Sequence, residues 1–158
     1  MPTDEDLEDA ADRGDVDGVR ALLAAGADPN AENVADAPIF HTALRRGDEA
    51  MLRAFVGYGA RIAAVGDNGR TVLHGLASSR DGSPLLRFVV DLGVDPNTQD
   101  ATGWTALHLA AANGYERNVE ALLAAGASPS VTTRHGLSPA DVAARNGHDG
   151  IAARLRVR

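Results

Sequence analysis

Four glycines recur along the chain at a nearly constant spacing, and this recurrence restricts the fold more than any other feature. Gly26, Gly59, Gly93 and Gly126 are separated by 33, 34 and 33 residues. Each follows an apolar segment, where a glycine can end a helix because it adopts the left-handed conformation without strain. A period of this length predicts similar units that stack on one another to build one continuous core.

Residues 100–130 are the clearest copy of the unit. The run from Asp100 to Gly103 predicts a turn, and the hydroxyl of Thr105 offers an N-cap to a first helix. Apolar residues at helical spacing mark the faces of the two helices: Leu107, Ala110 and Ala111 in the first, and Val119, Leu122 and Leu123 in the second. The unit is therefore predicted to be turn, helix, turn, helix.

The first helices of four units begin with similar six-residue segments. These read PIFHTA from Pro38, TVLHGL from Thr71, TALHLA from Thr105 and SPADVA from Ser138. Together with the period, these openings make the chain resemble the ankyrin-repeat family over almost all of its 158 residues. The resemblance implies an all-α solenoid of stacked helix-turn-helix pairs with hairpin-like fingers. It also implies one domain, 1–158, whose units are 1–32 as N-terminal cap, 33–65, 66–99, 100–132 and 133–158 as C-terminal cap.

Two units depart from the pattern. In the second, NVADAPIFH replaces the glycine-centred turn and Pro38 replaces the capping threonine, so we expect an irregular finger with no capping hydroxyl. In the third, one extra residue between the helices predicts a longer loop over 78–83, with Pro84 near the start of the next helix. The bulky residues Met51, Phe55 and Tyr58 of the second unit either fill the gap left by its altered turn or line a ligand pocket. The longer loop of the third unit is either functional or simple drift of a loop.

Three histidines also follow the period. His41, His74 and His108 are spaced by 33 and 34 residues, and the resemblance implies that each hydrogen-bonds to the turn of the neighbouring unit. We therefore interpret them as structural residues and not as catalytic or metal-binding ones.

The sequence lacks several residue types and motifs on which catalytic and metal sites depend. It contains no cysteine and no lysine, which removes thiolate chemistry, cysteine metal sites and the lysine of a phosphate-binding loop. It also lacks an HExxH motif, and its net charge of −7 disfavours binding to nucleic acid. We predict a protein that is not an enzyme and uses no metal or other cofactor.

The resemblance implies an unidentified protein partner that is bound in a concave groove of turn tips and first helices. The residues at the matching positions are Arg45, Arg46, Asp67, Asn68, Arg70, Ser78, Ser79, Thr102, Trp104, Ala112, Asn113, Arg134, His135, Leu137 and Arg145. Trp104 is the best candidate for an anchor, because tryptophan and arginine dominate binding hot spots. The same position is also compatible with a tryptophan that is merely packed.

Charge suggests an alternative. Residues 1–30 carry nine acidic residues and two arginines, a net charge of −7, so the rest of the chain sums to zero. The protein could therefore be a regulatory or inhibitory subunit whose acidic N-terminal unit meets a basic surface of an enzyme. A remoter alternative is a small-molecule binder or enzyme at the irregular second finger.

Further expectations concern location and origin. The first ten residues lack the basic and apolar regions of a signal peptide, and no apolar run approaches ~18 residues, so we expect a cytoplasmic protein that does not meet a membrane. We expect a monomer with at most weak self-association. All 15 basic residues are arginine, which predicts a GC-rich, bacterial genome.

Overall fold

The computed structural model describes residues 1–66, 68–80 and 82–157. These residues form ten α-helices, and their only β-type pairing is an isolated bridge between Glu32 and Pro38. The predicted all-α class is therefore confirmed. The chain divides into two compact units, Met1–Arg61 and Ile62–Arg158, and the prediction of one domain over 1–158 stays a prediction.

The first unit holds two helix pairs. Its helices are α1 (Asp4–Arg13), α2 (Val16–Ala24), α3 (His41–Arg46) and α4 (Glu49–Gly57). The first helices α1 and α3 pack on each other, as do the second helices α2 and α4. Met51 and Phe55 of α4 are completely buried, and the Phe55 ring lies 6.4 Å from that of Phe40. The bulky residues of this unit thus fill its core, although Tyr58 stays exposed.

The second unit holds three helix pairs. Its helices are α5 (Val72–Ala77), α6 (Ser83–Asp91), α7 (Ala106–Ala112), α8 (Glu116–Ala124), α9 (Pro139–Arg145) and α10 (Asp149–Arg156). The first helices α5, α7 and α9 pack side by side, and the second helix α6 packs on α8. The predicted apolar faces of α7 and α8 are buried, except that Leu123 is only half-buried.

Helix ends follow the predicted capping chemistry. The Thr105 hydroxyl accepts a hydrogen bond from the backbone N–H of His108 at the start of α7. At the other end of the pair, Gly126 follows α8 with a φ of 94°, and the N–H of Ala127 donates to the carbonyl of Leu122. The hydroxyl predicted to be missing at Pro38 is missing, and α3 begins only at His41, with no side-chain cap.

The turn of the second repeat corrects one expectation. We expected the finger at 33–37 to be irregular, yet its backbone makes the bonds of the finger at 100–104. Asn33 supplies the side-chain acceptor and Asp36 adopts the left-handed conformation, with a φ of 55°. Asparagine and aspartate tolerate these roles better than other residues with a side chain. The irregularity lies in the helix start and not in the turn.

The loop of the third repeat is longer than its counterpart, as predicted, but it ends at residue 82 and not at 83, because Ser83 belongs to α6. It exceeds its counterpart by two residues, since α5 is also one residue shorter than α7. Five residues, 78–82, connect α5 to α6, whereas three, 113–115, connect α7 to α8. Pro84 lies in the first turn of α6, where its missing N–H leaves no helical hydrogen bond unmade.

Candidate protein-binding surface

Each first helix of the second compact unit is preceded by a tight turn, which we call a finger, like the turn at 33–37. The fingers are residues 66–70, 100–104 and 133–137. In the middle one, Asp100 Oδ1 accepts hydrogen bonds from the N–H groups of Thr102 and Trp104, at 2.9 and 3.1 Å. The Asp100 N–H donates to the Trp104 carbonyl at 2.8 Å and closes the turn. The side chain of one residue therefore fixes the backbone of the whole finger.

The Asp100 carboxylate is also strongly held in its charged form. Its burial alone would raise the pKa, but hydrogen bonds from the Thr102 hydroxyl, from two backbone N–H groups and from Arg70 outweigh it and lower the pKa to about 2. Only 8% of this side chain is exposed. Asp100 thus belongs to the framework of the finger and is not free to bind a partner.

Successive fingers are joined to each other by backbone hydrogen bonds. The N–H of Ala101 donates to the carbonyl of Asn68 at 2.8 Å, and the N–H of Arg134 donates to the carbonyl of Thr102 at 3.3 Å. A Cβ added to Gly103 would lie 2.7 Å from the backbone nitrogen of Arg134, so only glycine fits there. The three fingers of this unit form one continuous strip.

The histidines fasten each first helix to the next finger. His74 Nε2 lies 3.1 Å from the Trp104 carbonyl, and His108 Nε2 lies 3.0 Å from the Leu137 carbonyl. Because a carbonyl oxygen can only accept, Nε2 is the protonated nitrogen, and Nδ1 accepts from the backbone N–H of the capping threonine. The structure thus confirms the predicted bond to the neighbouring turn for His74 and His108.

Burial keeps these rings neutral. It lowers the pKa of His74 and of His108 below the ordinary value of 6.5, although the hydrogen bonds to the neighbouring carbonyls act in the opposite direction. The pKa of His41 is lowered by burial and by Arg45, and its ring packs edge-on against Phe40, with ring centroids 4.8 Å apart. A neutral, hydrogen-bonded imidazole suits a structural role for His74 and His108.

The finger residues predicted to bind a partner lie mainly at the surface. Those that are exposed are Asn68, Arg70, Thr102, Arg134 and His135. Arg70 is partly engaged, because its Nε lies 3.4 Å from Asp100 Oδ2. Leu137 is half-buried, and its carbonyl is the acceptor of the His108 bond. Asp67 lies outside the described residues.

Trp104 is neither fully packed nor fully exposed. Its side chain is half-buried, and its ring centroid lies 5.8 Å from that of His108, with the planes tilted by 48°. One portion of the ring therefore packs against the protein and the rest is exposed, and the role of Trp104 as an anchor stays a prediction.

A second group of predicted residues lies where the first helices of this unit end. Ser78 and Ser79 follow α5, Ala112 and Asn113 end α7, and Arg145 ends α9. All are exposed except Ala112, which is half-buried. Since α5, α7 and α9 pack side by side, these ends lie next to one another as the finger tips do.

Arg45 and Arg46, the two residues of the compact unit Met1–Arg61 that were predicted to bind a partner, have structural partners. Arg45 lies 3.4 Å from the carboxylate of Asp12 and donates to the Thr42 hydroxyl at 2.7 Å. Arg46 donates to the backbone carbonyl of Asp12 at 3.1 Å, and its guanidinium lies against Gly14. Both side chains stay exposed, but part of their hydrogen-bonding capacity joins α3 to α1.

Sequence reasoning overlooked the residues that fasten one repeat to the next. Asn146 Nδ2 donates to the carbonyl of Ala112 at 3.0 Å. Three repeats earlier, Arg46 makes the equivalent bond to the carbonyl of Asp12. The buried Asn118 was also overlooked. The signal was available, because comparing equivalent positions would have shown Asn118 among apolar residues.

The alternatives based on bound ligands stay predictions, and two features of the described residues bear on them. In the described ranges, no group of three or more histidine, cysteine or acidic residues is placed to hold a metal ion. A shallow cavity of about 130 Å³ lies between α8 and α10, where Glu116, Ile151 and Arg154 line part of it. None of the described helices combines the length and the apolar character that are needed to cross a bilayer.

Comparison with known proteins connects this geometry to a family. The chain is similar to calmodulin-binding transcription activator CBT of Oryza sativa subsp. japonica (43% identity over 95 residues, 56% of this chain and 10% of the relative). It is also similar to ankyrin repeat and SOCS box protein 16 of Mus musculus (36% over 110 residues, 65% and 24%). The chain thus spans at most a quarter of the length of these relatives, and they leave its predicted bacterial origin untested.

The family model described as "Ankyrin repeats (3 copies)" matches residues 7–100 and again 75–156, which together cover most of the sequence. The matched ranges contain the fingers, the bridging histidines and the paired helices described above. The chain belongs to the ankyrin-repeat family.

Proposed function

We propose that this chain is a non-enzymatic protein-interaction module and that its second unit carries the binding surface. Ankyrin repeats generally mediate protein–protein interactions. The surface consists of the finger tips together with the ends of α5, α7 and α9. The partner, the cytoplasmic location and the monomeric state stay predictions.

The observation that carries the proposal is a rigid backbone beneath exposed side chains. The fingers are closed by their own hydrogen bonds and joined to one another through Asn68 and Thr102, while the side chains of these two residues face solvent. A surface that is ordered before binding loses little conformational entropy in the complex. This arrangement supports recognition of a folded partner or an extended segment by a preformed strip.

Two exposed arginines suggest how a partner is held. In the described part of the chain, Arg134 and Arg145 are exposed and form no ion pair. Arginine can bind carboxylates through two parallel hydrogen bonds and is frequent in binding hot spots. Trp104, which is half-buried, adds an aromatic surface between them and the finger at 66–70.

A pull-down from a lysate of the source organism tests the proposal. The full chain serves as bait beside an Arg134→Ala/Arg145→Ala variant, which removes two exposed arginines from the surface. An Arg61→Ala/Arg117→Ala variant is the matched control, because these two arginines are also exposed, lie outside the proposed surface and form no ion pair in the described part of the chain. Circular dichroism confirms that all three proteins are folded.

We expect a protein that is captured by the wild type and by the control but lost from the surface variant. Titration of that purified protein should then show at least tenfold weaker binding to the surface variant. Equal binding to all three proteins would reject the proposed surface.

The acidic first helix favours a second candidate function. In α1, Asp4, Glu5 and Asp9 are exposed, and Arg13 is the basic residue of the helix, 3.7 Å from Asp9. This helix could meet a basic surface of an enzyme and regulate it. Such binding should weaken steeply between 50 and roughly 300 mM salt, because surface charges are screened over about 10 Å at 0.1 M salt. Capture that is insensitive to salt would contradict this candidate.

A further inference from the structure

Asn118 is a buried polar residue at a position that is otherwise apolar. Its counterparts in the second, third and fifth repeats are Met51, Leu85 and Ile151, and all of them lie in the core. Asn118 is itself completely buried in α8. A buried amide lowers stability unless its hydrogen bonds are satisfied, so this exception calls for a specific cause.

The amide nitrogen of Asn118 faces three backbone carbonyls at the end of α5. It lies 2.7 Å from the carbonyl oxygen of Ser79, 3.2 Å from that of Ala77 and 3.4 Å from that of Leu76. Because carbonyl oxygens only accept, the side-chain atom among them must be the NH₂ group and not the oxygen. Two N–H groups shared among three acceptors hold the end of α5 and the first residues of the next loop.

The other connections of this unit satisfy their helix ends differently. At the end of α7, the side chain of Asn146 reaches across from α9 and donates to the carbonyl of Ala112. The corresponding residue for α5 would be Asn113, but its side chain donates to Leu109 of its own helix, at 2.8 Å. The loop with the extra residue, 78–82, therefore lacks the usual bond, and Asn118 supplies a replacement from the second helix.

The last residue of the loop, Gly82, lies tightly against the end of α5. Gly82 is buried, and a Cβ at this position would collide with the carbonyl of Leu76. The N–H of Gly82 donates to the carbonyl of Ser79 at 3.2 Å, so the carbonyl that Asn118 binds most closely also closes the loop. A donor at this point restrains both ends of the connection.

The asparagine at position 118 lowers the stability of the protein in a way that an apolar residue would not. In the part of the chain that the structure describes, Asn118 Oδ1 is buried and has no hydrogen-bond partner. An unsatisfied buried acceptor costs about 1–3 kcal/mol. A leucine, as at position 85, would avoid this cost, which indicates that the amide is retained for what its nitrogen does.

We infer that Asn118 is a positioning residue for the loop 78–82 and that it is needed because of the extra residue in that loop. The inference deepens the proposed function and rests on it in one respect only, since Ser78 and Ser79 belong to the proposed binding surface. Asn118 thereby sets the shape of one edge of that surface without touching the partner. The longer loop and the buried amide are one coupled feature.

Amide hydrogen exchange followed by NMR on the free protein tests the positioning role. Asn118→Leu has the same branching as asparagine but no donor, and we expect the N–H groups of Ser79 and Gly82 to exchange at least tenfold faster. The N–H of His148, which lies in the three-residue connection after α9, should be unaffected. Asn113→Leu is the matched control, because this asparagine bonds only within α7, and it should leave the loop unchanged.

Shortening the loop tests the coupling. With Ser79 deleted, the connection loses the carbonyl that Asn118 binds most closely, so Asn118→Leu should now raise the thermal midpoint. In the full-length loop the same substitution should not raise it. Asn118→Ala, which leaves a cavity instead of adding bulk, should also accelerate exchange at Gly82 in the full-length loop.

An unchanged exchange rate in both Asn118 variants would overturn the inference, as would an equal thermal shift in both loop lengths. Either result would make Asn118 a packing residue. Because all measurements use the protein without a partner, they do not depend on whether the proposed surface binds one.

Discussion

The fingers at 33–37 and 100–104 build the same backbone turn from different side chains. Asn33 in one and Asp100 in the other accept hydrogen bonds from the N–H groups two and four residues further on. Asn33 does so with a neutral amide oxygen, whereas Asp100 does so with a carboxylate that also binds Arg70. The turn therefore requires an acceptor at its first position but not a charge.

The left-handed position of the two fingers differs more sharply. Asp36 carries a side chain at a φ of 55°, whereas Gly103 has a φ of 82° and lies directly against the backbone of Arg134. Left-handed backbone alone can be borne by aspartate. The comparison shows that the close approach of the next finger, and not the turn, makes glycine necessary at position 103.

The largest effect is expected for Gly103→Ala. The new Cβ would lie about 2.7 Å from the Arg134 nitrogen in addition to the left-handed strain, so we expect a loss of about 3 kcal/mol or more in the free energy of unfolding. Urea unfolding measured by circular dichroism provides the value. Asp36→Ala is the matched control and should cost about 1 kcal/mol or less. Similar losses in the two variants would refute the explanation by close approach.

The next largest loss of stability is expected when the side-chain acceptor at the first position of a finger is removed. Asp100→Ala removes the partner of two backbone N–H groups, the Thr102 hydroxyl and Arg70, and should destabilise the protein by roughly 2–3 kcal/mol. Asn33→Ala removes the partner of two N–H groups and should cost only about 1–2 kcal/mol. Urea titrations of the two variants give the order. An equal or larger loss at Asn33 would show that the extra bonds of Asp100 contribute nothing.

Charge at the first position predicts a dependence on pH. The pKa of Asp100 is about 2 in the folded protein and 3.8 in the reference state, so folding favours the carboxylate. Its stabilisation is fully present above pH 4 and disappears as the pH falls towards 2. A shift of this size corresponds to about 2 kcal/mol.

Asp100→Asn isolates this effect, because it gives the finger the acceptor that Asn33 provides naturally. The wild type should exceed the variant in stability by about 2 kcal/mol at pH 7, and the difference should approach zero near pH 2. Urea unfolding at a series of pH values measures it. A constant difference across this range would mean that another group titrates.

Much of the fold was predictable because it depends on local or periodic signals. The capping hydroxyl of Thr105 and the glycine after α8 act within a few residues, and the bridging by His74 and His108 was implied by the family resemblance. The family resemblance supplied the candidate surface, and the structure adds the exposure of its members. Their role in binding stays a prediction.

The rest depended on contacts between side chains that are distant in sequence. The bonds of Arg45 and Arg46 to Asp12 join residues more than thirty positions apart, and charge alone does not specify them. The regular turn at 33–37 was missed for another reason. Asn33 and Asp36 lie 67 positions before Asp100 and Gly103, and aligning these pairs would have shown that they can play the same roles.

The smallest effect is expected at the start of α3, where the second repeat does depart from the pattern of the others. Pro38 stands where Thr105 caps α7, and α3 begins three residues later, at His41, without a side-chain cap. Pro38→Thr should supply a hydroxyl to the N–H of His41 and a backbone N–H to its ring, as Thr105 does with His108. The cap contributes about 1 kcal/mol, and the loss of proline's restriction on the unfolded chain offsets roughly half of that.

We therefore expect a net gain of about 0.5 kcal/mol in urea unfolding and slower amide exchange at Thr42 and Ala43. Pro38→Ala is the control, because it removes the proline without adding a hydroxyl, and it should be less stable than the wild type. If the threonine and alanine variants proved equally stable, the late start of α3 would be set by the packing of Ile39 and Phe40, which are both buried. The missing hydroxyl would then be a consequence of the short helix instead of its cause.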